Sequence, residues 1–212
     1  QTSIYALRKR VGDQGEAIDL SLDRAERSIV RCDRIIGELL DYTRTREPVS
    51  VETVFDSWLA GVLGDFNFPA EIEVAWRLES DATLRIDQNR IQGCVVNLLS
   101  NACQSMMERA DGSIHYKLTI ASRRNGDRIE FVVTDTGPGM APVVLCKVFE
   151  PMFSTRTFGV GLGLSIVKKS MEQHGGGVDI ASELGYGTTA TLWLPAPGNE
   201  EGHHEETSHT GG

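Results

Sequence analysis

Asn97 and Asn101 stand four residues apart in the run Val95-Val96-Asn97-Leu98-Leu99-Ser100-Asn101. On a helix that spacing puts both amides on one face. Asparagine is a poor helix former because its side chain competes for backbone hydrogen bonds, so two on one face among aliphatic residues need a reason. Amide oxygens are hard ligands, suited to a Mg²⁺ that keeps waters and takes the rest of its shell from phosphates. Otherwise the pair simply faces water or bonds to neighbouring strands. Asp135 follows an alternating segment, Arg128 to Val133, and precedes Gly137-Pro138-Gly139. Its carboxylate either organises a turn or accepts a hydrogen bond from an adenine amino group, where guanine carries a carbonyl. A second cluster, Gly159-Val160-Gly161-Leu162-Gly163-Leu164, opens a helix read from Leu164 to His174. Glycine lets a ligand approach the main chain, and N–H groups in such loops or at a helix start cradle phosphates. Either cluster alone is no more than a turn signal. No Gly-x-x-x-x-Gly-Lys-Ser/Thr run exists, which excludes a P-loop. The 159–164 cluster follows a lid-like segment instead of a strand and lacks the Gly-x-Gly-x-x-Gly spacing of a dinucleotide site.

These residues need a scaffold. Asp87 is placed to cap a helix from Gln88 to about Arg109, which carries both asparagines. Before it come a short strand at Val49–Val51, a helix from Glu52 to about Phe66 with Val54, Phe55, Trp58, Leu59, Val62 and Leu63 inward, and strands at Glu71–Leu78 and Thr83–Ile86. Ile114–Ser122 and Asp127–Thr134 form a hairpin closed at Asn125-Gly126. Val178–Ser182 and Thr188–Leu194 are joined through Gly185-Tyr186-Gly187. The sum is a mostly antiparallel sheet with helices on it, a two-layer α/β sandwich.

The N-terminal part differs. A helix from Thr2 to Val11 is broken by Gly12-Asp13-Gln14-Gly15, and a second runs from about Glu16 to Arg46, stopped by Pro48. In the second, Ile18, Leu22, Ala25, Ile29, Cys32, Ile36, Leu39 and Thr43 recur at alternating steps of four and three, a coiled-coil seam. Each large apolar side chain on it is worth roughly 1.5–3 kcal/mol when buried, and one short partner helix cannot cover it. Residues 1–47 therefore read as a helical hairpin that dimerises into a four-helix bundle; packing on the chain's own second domain is the alternative. Residues 48–197 form the second domain. Residues 198–212, polar and rich in His and Gly, read as a disordered tail, where His203, His204 and His209 lack the fixed scaffold a metal needs.

A net charge of −9 argues against a nucleic-acid partner, which needs a basic face. Cys32, Cys94, Cys103 and Cys146 show no Cys-x-x-Cys pairing; three of them fall among helical apolar residues, which reads as buried free thiols of a reducing compartment, hence cytoplasmic. No apolar run reaches the roughly 20 residues of a membrane span. The chain starts at Gln1 inside a helix, so we expect a fragment, with any membrane anchor upstream.

Taken together and in order, Asn97-x-x-x-Asn101-Ala102, Asp135-x-Gly137-x-Gly139, Phe149-Glu150-Pro151-Met152-Phe153-Ser154-Thr155-Arg156, Gly159-x-Gly161-x-Gly163-Leu164 and Gly185-x-Gly187-Thr188-Thr189 resemble the boxes of the sensor histidine kinase ATP-binding domain. That domain belongs to the gyrase, Hsp90, histidine kinase and MutL superfamily (GHKL). The similarity covers about residues 49–195, and Leu39–Arg44 resembles the family's dimerisation hairpin. Asn101-Ala102-Cys103-Gln104 and the Phe-Glu-Pro segment are most similar to nitrogen-regulation-like kinases. The resemblance implies an α+β protein: a Bergerat-type sandwich preceded by a dimeric four-helix bundle.

It also implies ATP and Mg²⁺ as cofactors and roles for individual residues. Asn101 would hold Mg²⁺, with Asn97 assisting at the phosphates. Asp135 would read the adenine amino group, with Thr188 nearby and Gly137 and Gly139 shaping the base pocket. Gly159, Gly161 and Gly163, with Leu164, would wrap the phosphates as part of a lid, and Arg156 would neutralise their charge. The partners implied are a second copy through residues 1–47 and a response-regulator receiver domain. The chain departs from the family in three ways. The acceptor His box is missing and is expected just upstream of Gln1, so this fragment is not expected to phosphorylate itself. Gln104 stands where many relatives carry Lys. Met152 and Arg156 replace the commoner Phe and Lys. A non-kinase ATPase of the same superfamily, and a degenerate kinase serving as a dimeric scaffold, are the rival readings.

Overall fold

The structure is a computed structural model. It describes residues 48–108, 116–155 and 160–197, together with Leu22, Ala25 and Ile29. Those three are helical; the rest of the 1–47 hairpin, the 198–212 tail and His115 lie outside the described residues. By its contacts the chain divides into Gln1–Arg46 with Lys147–Ile166, and Glu47–Cys146 with Val167–Gly212.

The second of these units contains the sheet. In chain order its elements are β1 (Val51–Val54), α1 (Phe55–Asp65), β2 (Ile72–Glu79), β3 (Thr83–Ile86), α2 (Gln88–Met107), β4 (Tyr116–Asn125), β5 (Arg128–Asp135), α3 (Pro142–Leu145), the greater part of α4 (Gly163–Gln173), β6 (Gly177–Glu183) and β7 (Gly187–Pro195). Five strands form one sheet in the order β2-β4-β5-β7-β6, and β1 pairs with β3 apart from it. Every pairing is antiparallel except β2 with β4. The expected α/β sandwich is present, with one parallel pair that the alternation pattern did not indicate.

The sheet is apolar on one face because its strands keep period two. Ile129, Phe131 and Val133 of β5 are buried opposite Leu194, Leu192 and Ala190 of β7. Leu118 and Ile120 of β4 continue the row. Helix α2 buries Ile91, Cys94, Val95, Leu98, Leu99, Ala102, Cys103 and Met106, the recurrence at three and four of a helix with one face in a core. The Asp87 cap forms as expected, its carboxylate accepting from Arg90 N at 3.2 Å. The other oxygen accepts from Val49 N at 3.0 Å. The Asp87 N–H donates to His174 Nε2 at 3.1 Å, and His174 Nδ1 lies 2.7 Å from the Ser170 carbonyl. These bonds require the neutral ring with its proton on Nδ1, so His174 ties the end of α4 to the start of α2. Beyond it the Gly176 N–H bonds to Met171 O and the Gly175 N–H to Glu172 O, a Schellman stop.

Several boundaries differ from the sequence reading. The first strand starts at Val51, not Val49, because its only partner, β3, pairs with Val51 to Val54. Helix α1 accordingly starts at Phe55, not Glu52, and Val54 is 63% exposed instead of inward. Helix α3 was not foreseen; four residues cannot show a helical period. Cys94 and Cys103 are buried free thiols, as expected, but Cys146 is exposed. It sits just past the last turn of α3, and its thiol donates to Val143 O at 3.3 Å. Burial, countered in part by Ser170 and Arg90, pushes the Cys94 thiol up to about 12, which makes it inert.

Asp56, on α1, is the polar tie between helix and sheet. It accepts from Ser80 N at 2.8 Å, Ser80 Oγ at 2.7 Å, Asp81 N at 2.9 Å and the Ser122 hydroxyl. Asp81 is held there at φ 47°. Burial works to raise the Asp56 pKa, but the hydrogen bonds from Ser122, Ser80 and the Asp81 and Ser80 N–H groups outweigh it and hold it below 3.8. A carboxylate depressed in the folded state stabilises above its unfolded pKa and loses that contribution as pH falls through the folded value. Replacing Asp56 by Ala is expected to cost about 2–3 kcal/mol at pH 7 in urea denaturation. In Asp56→Asn the part of the acid destabilisation that lies below about pH 4 should be reduced. An acid limb unchanged in that variant would contradict the assignment.

Candidate nucleotide site

The site starts from the same period that makes the core. Residues 129, 131, 133 and 135 of β5 share one face, as do 188, 190, 192 and 194 of β7. Asp135 pairs with Thr188 and with Leu118, and Thr188 pairs with Ser182. The last rung of an apolar ladder, Leu118, Asp135, Thr188 and Ser182, therefore turns polar after Leu118. Asp135 is only 6% exposed. Its Oδ1 accepts from Gly137 N at 2.8 Å, so it does organise the turn, and it carries its charge on the helix-covered face at the end of a strand.

Two glycines make this possible. At Gly187, φ is +116° and an added Cβ would lie 2.0 Å from the Asp135 carbonyl oxygen. At Gly139, φ is +64° and a Cβ would lie 1.9 Å from Glu183 O. Both positions combine a left-handed backbone with backbone on the far side, where nothing can yield. The Pro138-Gly139 turn is thereby laid on the β6–β7 hairpin, which it meets through Gly185 N to Pro138 O at 2.7 Å and Met140 N to Ser182 Oγ at 2.8 Å.

Helix α2 brings the asparagines. Asn101 Nδ2 donates to Asn97 Oδ1 at 2.9 Å. Ser105 is one further step of four along the same face, and its hydroxyl donates to Ala102 O at 2.9 Å. A Cβ on Gly137 would come within 3.0 Å of Ser105 Oγ and 2.8 Å of Asp135 Oδ1. Asn97, Asn101 and Ser105 thus form a half-buried polar stripe whose Ser105 end abuts the Asp135 turn. At 1.5 Å rise per residue, Asn101 and Asn97 lie about 6 and 12 Å farther along the axis. Cys103 reports the same proximity: its thiol is raised to about 11, first by burial and then by the negative charge of Asp135. The donor set suits a hydrated cation brought with a ligand. Asn97 Oδ1 is engaged by its neighbour's amide N–H, and among the described residues no group of three His, Cys, Asp or Glu is placed to hold a metal. Amide oxygens fit Mg²⁺ that completes its shell with phosphate and water.

Residues 86–198 match the model of the histidine kinase-, DNA gyrase B-, and HSP90-like ATPase family. The chain belongs to that family. It is 32% identical over 188 residues to the sensor histidine kinase ZraS of Escherichia coli K12, a match covering 85% of this chain and 38% of the relative. Among solved structures it is similar to full-length ShkA in complex with AMPPNP, with TM-score 0.70 and 22% identity, over 88% of this chain and 40% of that one. It is also similar to histidine kinase ThkA in complex with the response regulator protein TrrA, with TM-score 0.69 and 22% identity, over 92% of this chain and 57% of that one. The chain is thus homologous to sensor histidine kinases and carries their ATPase domain, while spanning less than half the length of ZraS. Among the described residues no helix is long and apolar enough to cross a membrane.

The other glycine cluster of this ATPase domain belongs to the Lys147–Ile166 segment. Arg156 and Gly159 lie outside the described residues. Met152 donates its N–H to Gly161 O at 3.0 Å, and Gly161, at φ +74°, comes so near that a Cβ would meet Phe153 O at 2.4 Å. Gly163 and Leu164 open α4, where the first N–H groups have no intrahelical partner. Gln104 is exposed on α2. Sequence reasoning missed Ser105 and Ser182. Ser105 was legible as the next member of the Asn97–Asn101 spacing; Ser182 carried no signal.

Gly187→Ala is expected to destabilise by more than about 2 kcal/mol in chemical denaturation, because neither φ nor the Asp135 carbonyl can adjust. Gly61→Ala, in the middle of α1 with open space around its Cβ, should stabilise by about 0.5–1 kcal/mol. Equal effects of the two would show that the Gly187 approach is not tight.

Proposed function

We propose that this chain binds Mg-ATP and is the catalytic part of a two-component sensor histidine kinase. In this reading Asp135 and Thr188 take the adenine amino group, and the turn through Gly137 and Gly139 walls the base. Asn101, oriented by its bond to Asn97, offers its amide oxygen to Mg²⁺ beside the phosphates, which Asn97 also approaches. Gly159, Gly161, Gly163 and Leu164, with Arg156, enclose the phosphate tail. Magnesium supplies charge neutralisation for the migrating phosphoryl group. The γ-phosphoryl passes to a His on a dimeric bundle formed through residues 1–47, then to an Asp of a response-regulator receiver domain. None of the five His of this sequence stands in a suitable box, so none of them is assigned as the acceptor. Asn97 has no basic group to activate water, which favours transfer to a protein acceptor over hydrolysis.

The observation that most supports this is the polar stripe of α2 abutting the buried Asp135 turn. Amide oxygens suited to Mg-phosphate then lie about 6–12 Å along the helix axis from Ser105, the end of the stripe that abuts the base acceptor. The similarity to a kinase whose structure holds AMPPNP, and to one held with a response regulator, agrees with it.

Calorimetric titration with ADP and a non-hydrolysable ATP analogue, with and without Mg²⁺, tests the reading. Asp135→Asn is expected to weaken both ligands at least about tenfold, the loss of one charge-assisted bond. Asn101→Ala should remove most of the Mg²⁺ dependence and leave the metal-free affinity for ADP nearly unchanged. Absence of binding to the unsubstituted chain, or binding indifferent to Asp135, would sink the proposal.

A further inference from the structure

The rung that contains Asp135 and Thr188 ends on Ser182, a residue that none of the sequence motifs includes. Ser182 Oγ lies 2.8 Å from Met140 N, 2.9 Å from Gly187 O and 2.9 Å from Thr188 Oγ1. A serine hydroxyl has one proton to give and two lone pairs. The Met140 N–H can only donate and the Gly187 carbonyl can only accept. All three contacts are satisfied in a single arrangement: Ser182 accepts from Met140, donates to Gly187 and accepts the proton of Thr188. Thr188 Oγ1 then has its proton committed and presents only lone pairs elsewhere. Its cross-strand neighbour on that face is Asp135, whose ionised carboxylate also only accepts.

We propose that Ser182 is a positioning residue that sets base selectivity, holding Thr188 as an obligatory acceptor beside Asp135. The inference rests on the adenine-nucleotide reading above and deepens it. A base with an exocyclic amino group brings two N–H donors to two acceptors. A base with a carbonyl at that position brings lone pairs against lone pairs. If the Thr188 hydroxyl could rotate, it would donate to such a carbonyl and remove part of the penalty. Ser182 prevents that rotation, and it does so without touching the base.

The test is calorimetric affinity for ADP and for inosine diphosphate, which carries a carbonyl in place of the amino group, in the unsubstituted chain, Ser182→Ala, Ser182→Thr and Thr188→Val. The unsubstituted chain should prefer ADP. Ser182→Ala should narrow the ADP-to-inosine-diphosphate ratio about tenfold, the effect of one hydrogen bond changing sense. Ser182→Thr, which keeps the hydroxyl, should retain the ratio. In the Thr188→Val background, Ser182→Ala should change the ratio no further. Should Ser182→Ala lose its cooperative thermal transition, Ser182→Cys, which keeps the volume but weakens the hydrogen bonds, should narrow the ratio in the same direction. Equal weakening of both ligands, an unchanged ratio, or a full effect in the Thr188→Val background would overturn the proposal and leave the nucleotide reading standing. A chain that binds neither ligand would overturn both.

Discussion

The close approach of β5 and β7 at Asp135 and Gly187 is the constraint on which the site depends. The two backbones meet so tightly that no Cβ fits at 187. That contact ends an otherwise apolar ladder on a polar rung and fixes which face the Asp135 carboxyl takes. A slip of β5 by one residue against β7 would send Asp135 to the solvated face and bring Thr134, whose hydroxyl lies 3.1 Å from that of Thr189 there, onto the core side. The core rows Ile129–Leu194, Phe131–Leu192 and Val133–Ala190 make such a shift costly, because each would expose its large side chains. The hydrophobic core thus sets the position of the charge.

The second half of the site comes from a helix with two kinds of face. The apolar positions of α2, from Ile91 to Met106, anchor it on the sheet. Asn97, Asn101 and Ser105 form a stripe beside them. Its rotation about its own axis is fixed by that burial and by the Asp87 cap, which His174 supports from the end of α4. Polar groups so placed cost little in the folded state because each has a partner: Asn101 with Asn97, Ser105 with Ala102, Asp135 with the Gly137 N–H. Preorganisation of this kind leaves little for a ligand to order on arrival.

A further tie, remote from the site, keeps the outer strand in place. Asp56 gathers Ser80, Asp81 and Ser122, joining α1 to the β2–β3 turn and to β4. It ties α1 to the parallel pair β2–β4, whose own crossover runs through β3 and α2. The sheet therefore has its polar anchors at both ends of its helix-covered face, Asp56 at one and Asp135 at the other.

Much of this was legible in the sequence by itself. Alternation along β5 and β7, the four-residue spacing of Asn97 and Asn101, the Asp87 cap and the glycine pairs are local features, and local periodicity and backbone chemistry determine them. The motif order was sufficient to indicate the family. The starts of β1 and α1 were misjudged because the ladder to β3, a long-range contact, decided where the strand began. The parallel placement of β2 beside β4 carries no local mark, since the same alternating strand serves either direction. Ser182 was silent for a similar reason. A serine at the end of an edge strand has no meaning until the fold brings Met140, Gly187 and Thr188 around its one proton. The sequence determined which elements form and which residue types they carry. Tertiary structure decided which polar groups share a rung, because strand order and register join residues far apart in the chain and only packing selects among the possible pairings.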